Sequence, residues 1–192
     1  MIRAFALLFA AVTLLAAGAG QALAESQDSR EIMGFGPSFF GSGGASPIPR
    51  ATVNFVSGYA PGTIIVNTAE RRLYLVLPNG QALRYGIGVG RDGFRWGGVH
   101  RISAKKEWPS WTPPSQMLAR RPDLPRHMAG GIDNPLGARA IYLGSTLYRI
   151  HGSNEPETIG QAVSSGCFRM TNDDVKDLYD RVSVGTTVVV KN

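Results

Sequence analysis

From Tyr59 onward, apolar and polar positions alternate in short runs, and one long helical period appears only near the C-terminus. Thr63-Ile64-Ile65-Val66-Asn67 and Arg72-Leu73-Tyr74-Leu75-Val76-Leu77 are rich in strand-forming residues. Pro78-Asn79-Gly80 comes next, and an Asn-Gly pair between apolar runs predicts a hairpin with its return strand over Ala82 to Val89. Val99 to Ser103 predicts another short strand, and Ala140–Leu143 and Thr146–Ile150 predict two more around Gly144-Ser145. Pro156 suits the first turn of a short helix. Asn172 reads as the N-cap of a longer one, with Asp173 and Asp174 in its first turn and Val175, Leu178, Tyr179 and Val182 at helical spacing. That helix ends before Gly185, and Thr186 to Val190 closes the chain as a strand. Residues 107–139 hold six Pro and no period, which predicts a long loop region of the kind that carries function. The pattern predicts a mainly β fold with one good helix and one short helix near the C-terminus.

The N-terminal part reads differently. Arg3 precedes an apolar run from Ala4 to Ala17, and the segment ends in Ala22-Leu23-Ala24. This is the layout of a cleavable secretory signal over residues 1–24, too short for a spanning anchor and without a Cys for lipid attachment. Residues 25–58 are Gly-, Pro- and Ser-rich and read as a flexible arm, with Phe35, Phe39 and Phe40 along it. The catalytic candidate is the domain from 59 to 192. Once the signal is cleaved, the protein is expected to be exported and without stable membrane insertion.

Composition narrows the function. Hydrophobic residues make up 43% of the 192, enough to bury a core. A single Cys excludes an internal disulfide framework and any Cys-rich zinc site. Three His without suitable companions predict no metal site, and no pattern for a phosphate-binding loop or a serine nucleophile elbow is present, so no cofactor is expected. The net charge is +6, and +5 after Arg3 leaves with the signal. For an exported chain, anionic cell-wall polymer is a better match to that charge than nucleic acid.

Cys167 is the residue that needs a reason. A lone thiol is often a small buried hydrophobe. Here it lies in Ser164-Ser165-Gly166-Cys167-Phe168-Arg169-Met170, where Gly166 permits a tight turn that brings main-chain N–H groups near the sulfur. A thiol needs a base or a nearby cation to react at neutral pH. His100, His127 and His151 are the candidate bases, and His151 ends a strand ahead of Gly152-Ser153-Asn154.

The stretch HGSNEPETIGQAVSSGCFRMTNDDVKDLYDRVSVGTTVVV resembles the active-site half of the L,D-transpeptidase family, the YkuD domain. Fifteen residues separate His151 from Cys167, as in the family signature. IIVNTAERRLYLVLPNGQALRYGIGVG is similar to its opening hairpins and KEWPSWTPP to its substrate-side loop. The resemblance implies a YkuD-like β-sandwich of mixed sheets. It implies an enzyme acting on peptidoglycan outside the cytoplasmic membrane, in the periplasm. Cys167 attacks the carbonyl before the terminal D-Ala of a tetrapeptide stem, D-Ala leaves, and the thioester passes to an amine. That acceptor is another stem peptide, giving a 3→3 cross-link, or an outer-membrane protein, a D-amino acid or water. His151 is then the base and the Gly152 carbonyl its orienting group. Ser164 and Ser165 support the turn, and the N–H groups of Gly166 and Cys167 are the oxyanion donors. Arg169 has two readings, a clamp for a substrate carboxylate or a bridge to Asp173 or Asp174. Asn154 holds its loop or touches substrate. Trp108 and Trp111 line the donor cleft or pin the loop, and Tyr142 and Tyr148 read as packing residues.

Two departures stand out. Many family members carry His in the place of Ser165, and many carry a Thr-Pro-x-Gly segment where this chain has Phe94-Arg95-Trp96-Gly97-Gly98. The alternatives left open are a carboxypeptidase or endopeptidase on the same scaffold, and a non-catalytic wall-binding protein.

Overall fold

The computed structural model describes residues 45–192. The expected signal segment and the arm up to residue 44, with its three Phe, lie outside the described residues. Strands dominate the domain. Ala51–Asn54 (β1), Ile64–Asn67 (β2), Arg72–Leu77 (β3) and Gln81–Gly86 (β4) come first, then the short Val89–Gly90 (β5) and the long Gly98–Glu107 (β6). A six-residue helix, Ser115–Arg120 (α1), interrupts the Pro-rich region. Arg139–Leu143 (β7) and Arg149–His151 (β8) come next, then a 3-10 turn at Pro156–Thr158, Ala162–Ser164 (β9) and Phe168–Arg169 (β10). Asn172–Arg181 (α2) and Thr187–Lys191 (β11) complete the chain.

Among the described residues, nine strands run in the order β1-β4-β3-β2-β11-β6-β7-β8-β10, and β5 pairs with β9 separately. β6 belongs to both halves: Gly98 to Arg101 pair with β11, and Ile102 to Glu107 pair with β7. The register shift between Ile102 and Ala104 lets that one strand change direction between the halves. The main apolar core fills the space between them, with Ile64, Leu73, Tyr85, Ile141, Phe168 and Leu178 all almost fully buried. Each such side chain contributes about 1.5–3 kcal/mol by leaving water.

The Asn-Gly hairpin forms as expected, because Asn79 and Gly80 both take positive φ (60° and 68°) and Leu77 pairs with Gln81. Several expectations shift. The arm does not run to residue 58: β1 pairs with β4, Ile48 packs against Gly86 and Gly160, and Arg50 forms ion pairs with Asp174 and Asp177. The expected return strand to Val89 breaks after Gly86, and β5 turns away to pair with β9. α1 lies inside the region read as pure loop, while the short helix expected at Pro156 forms as the 3-10 turn Pro156–Thr158. The N-cap of α2 is Thr171, whose hydroxyl accepts from the Asp174 N–H at 3.2 Å; Asn172 is already the first helical residue.

Candidate active site

The site is built by a parallel pairing. β8 and β10 lie side by side with Ile150 opposite Phe168 and His151 opposite Arg169. Successive strand residues face opposite ways. Ile150 and Phe168 therefore enter the core. Arg149, His151, Cys167 and Arg169 face the other way and line one cavity of about 460 Å³. Its far wall comes from the Pro-rich region and α1, through Trp111, Met117, Arg120 and Leu136. Met170 N–H donates to His151 O at 2.8 Å, and Arg169 and Gly88 exchange two main-chain hydrogen bonds at 2.9 Å, so β10 is held on both sides.

The turn before Cys167 is fixed by its own residues and by an indole. Ser164 Oγ donates to Cys167 O at 2.6 Å and accepts from Gly166 N–H at 3.1 Å. Gly166 has φ 111°, and a Cβ there would run into the Tyr148 ring. Trp96 Nε1–H donates to Gly166 O at 2.6 Å and stacks on Tyr148, with ring centroids 4.3 Å apart and planes 8° apart. Gly166 N–H, expected as an oxyanion donor, is engaged by Ser164 in this structure.

His151 is buried and its Nδ1 lies 2.6 Å from Gly152 O. A carbonyl only accepts, so Nδ1 carries the proton and Nε2 is left as the basic nitrogen. Gly152 has no room for a side chain: a Cβ would overlap Asn172 Oδ1. That oxygen accepts from Ala138 N–H at 2.8 Å, so the first residue of α2 holds the loop that orients the imidazole. Burial, then the Arg169 charge, push the imidazole down to about 3, against the Gly152 hydrogen bond. Burial pushes the Cys167 thiol up, opposed by the Arg149 charge, an Arg149 main-chain hydrogen bond and the Arg169 charge. Both shifts favour a neutral thiol beside a neutral imidazole at rest.

A thiol and an oriented imidazole on adjacent strands, over a cavity of ligand size, are the parts of a cysteine acyl-transfer site. The family model for the L,D-transpeptidase catalytic domain, YkuD, matches residues 61–190. The chain belongs to that family. It is similar to the probable L,D-transpeptidase ErfK/SrfK of Escherichia coli K12, with 42% identity over 136 residues, 66% of this chain and 43% of the relative. The chain thus spans less than half the length of that curated relative. A crystal structure titled a probable carnitine operon oxidoreductase from Brucella melitensis is 48% identical, covering 76% of this chain and 94% of that one, with a TM-score of 0.52. L,D-transpeptidase 3 of Mycobacterium tuberculosis, solved with a faropenem-derived adduct, shares the fold at 14% identity and TM-score 0.56, over 68% of this chain and 60% of that one.

Within this L,D-transpeptidase domain the other expected residues separate. Ser164 holds the turn, and Ser165 lines the cavity. Arg169 lines the cavity as well, but its ion pair is with Glu155 at 3.0 Å, both side chains nearly buried, and not with Asp173 or Asp174. Asn154 Nδ2 donates to Asp133 O at 3.3 Å, the loop-holding reading. Trp111 is on the cavity wall; Trp108 is 42% exposed and is tied by its main-chain N–H to Ala138 O. Tyr148, read as packing, both packs and lines the cavity. Trp96, Asn172 and Arg149 are the residues that the motifs did not single out. Strand alternation could have found Arg149, which stands two residues before His151. Among the described residues no cluster of three or more His, Cys, Asp and Glu is placed to hold a metal ion.

Proposed function

We propose that the protein is an exported peptidoglycan L,D-transpeptidase. The observation that carries this reading is the β8–β10 register, which sets Cys167 and a tautomer-fixed His151 on one wall of the cavity. As a stem tetrapeptide binds, Cys167 Sγ attacks the carbonyl that precedes the terminal D-Ala while His151 Nε2 takes the thiol proton. Collapse of the tetrahedral intermediate breaks the C–N bond, and His151 returns the proton to the D-Ala amine as it leaves. The Cys167 N–H is the donor assigned to the oxyanion. The thioester keeps the acyl group activated for a second amine, whose proton His151 accepts as the amide forms. The acceptor is an amine of another stem or of an outer-membrane protein. Export rests on the signal-type segment at residues 1–24, and periplasmic placement on export together with the family.

The test is to incubate purified disaccharide-tetrapeptide with the mature protein, wild type beside Cys167→Ala, and to read products by mass. Dimers formed with loss of D-Ala in a Cys167-dependent reaction support the reading. Cys167-dependent tripeptide alone, with stem and protein amines both supplied, replaces it with a hydrolase. No turnover at all favours a wall-binding protein.

A further inference from the structure

Arg149 is a cation on the cavity wall that the acyl-transfer steps leave unused. It stands opposite the residue just before β10, which is Cys167, so the parallel register sets it beside the nucleophile on the same face. The charged and titratable groups lining the cavity around the sulfur are Arg149 and His151 on β8, Tyr148 just before β8, Arg169 on β10 and Arg120 across the cavity, with Glu155 beyond β8 paired to Arg169. Arg169 is committed to an ion pair with Glu155, which offsets much of its charge. His151 is neutral at rest. Among the described residues no carboxylate forms an ion pair with Arg149. Its contacts there are a hydrogen bond from Nη2 to Leu147 O at 3.0 Å and the face of Tyr142, 5.5 Å from the ring centroid, and its buried Nε–H has no acceptor. A half-buried guanidinium with an unused donor and no acid partner is built to meet an anion, and the group on its face of the cavity that becomes one is the Cys167 sulfur.

We propose that Arg149 is the electrostatic partner of Cys167, favouring its thiolate and thereby making the thiol reactive at neutral pH. His151 moves the proton, and Arg149 offsets the cost of charging a partly buried sulfur. The inference rests on Cys167 being the nucleophile of the proposed transpeptidase. Its test reads the thiol itself and needs no turnover, so the failure of one is distinguishable from the failure of the other.

Cys167 is the sole cysteine of the chain, so alkylation reports on it alone. The rate with iodoacetamide, in which sulfur bonds to the carbon as iodide leaves, is measured against pH for wild type, Arg149→Gln, Arg149→Met and Arg149→Lys. Circular dichroism and melting of each variant are recorded alongside. For a charge on the same cavity wall, both neutral variants move the midpoint up by about one pH unit and slow alkylation at pH 7 by about ten-fold. The high-pH plateau stays where it is, and Arg149→Lys stays close to wild type. Arg149→Met, which keeps the packing on Tyr142, decides the matter should Arg149→Gln fail to fold. A midpoint unchanged in a folded neutral variant overturns the proposal. So does a lower plateau at a fixed midpoint, which is a steric effect, or an equal shift in Arg149→Lys, which removes charge as the cause.

Discussion

Trp96 donates its indole N–H to the carbonyl of Gly166, 70 residues away, at 2.6 Å. The bond fixes the peptide immediately before Cys167, and the same ring stacks on Tyr148 and Phe168. The segment that departs from the common family pattern thus supplies a brace for the turn before Cys167. Trp96→Phe retains much of the stacking and deletes the donor. It should lose about 1 kcal/mol, which as transition-state positioning is about five-fold in kcat. Turnover measured beside the melting temperature checks this; unchanged turnover leaves Trp96 a packing residue only.

Gly166 and Gly144 both have positive φ, 111° and 57°, but only Gly166 faces a ring. Gly144→Ala should cost about 1 kcal/mol of backbone strain. Gly166→Ala must also displace Tyr148 from Trp96, so its cost should be larger, about 2–4 kcal/mol, with most activity lost. Urea midpoints of the two variants give the comparison, and equal losses contradict it.

His151 makes stability depend on pH in a defined direction. Its folded value of about 3 lies below the ordinary value of about 6.5. A group depressed in this way contributes stability that is fully present above the unfolded value. That contribution is lost as pH falls from about 6.5 towards 3, because the unfolded chain binds the proton first. Urea midpoints between pH 7.5 and 4 should fall more steeply for wild type than for His151→Gln. Parallel curves would mean that the imidazole charges in the folded protein without penalty.

Thr171 and Asn172 are neighbours with separable jobs. Thr171→Ala removes the α2 cap and should cost about 1 kcal/mol with little change in kcat. Asn172→Ala strands the Ala138 N–H and frees Gly152, so it should cost about 1–3 kcal/mol and also lower kcat. Activity at a temperature where both variants are fully folded separates the two; equal kcat values would remove Asn172 from the machinery.

Much of this was legible in the sequence where the signal is local. The Asn79-Gly80 turn demands positive φ, and Val175 and Leu178 mark the inward face of α2. Cys167 stood out as the one thiol, while His151 was separated from His100 and His127 only by the resemblance to the family signature. What escaped depends on contacts between distant segments or on elements too short to show a period. β9 and β10 have three and two residues. Ala51–Asn54 alternates between half-buried and exposed, but Gly, Ser and Pro before it mask a strand. The partner of Arg169 is Glu155, brought close by a 3-10 turn, while the sequence offered the nearer Asp173 and Asp174. α1 begins just after Pro113-Pro114, in a stretch where proline density argued against any helix.

The third member of the proposed catalytic arrangement is a peptide oxygen. No codon specifies the Gly152 carbonyl, since every residue at that position would supply one. On that proposal, an alanine scan of the cavity would count two side chains where three groups are arranged. The orienting acceptor cannot be deleted by mutation, only misaimed, and what can be inherited or lost is the absence of a Cβ at Gly152 and Gly137 and the small amide that fills the space between them.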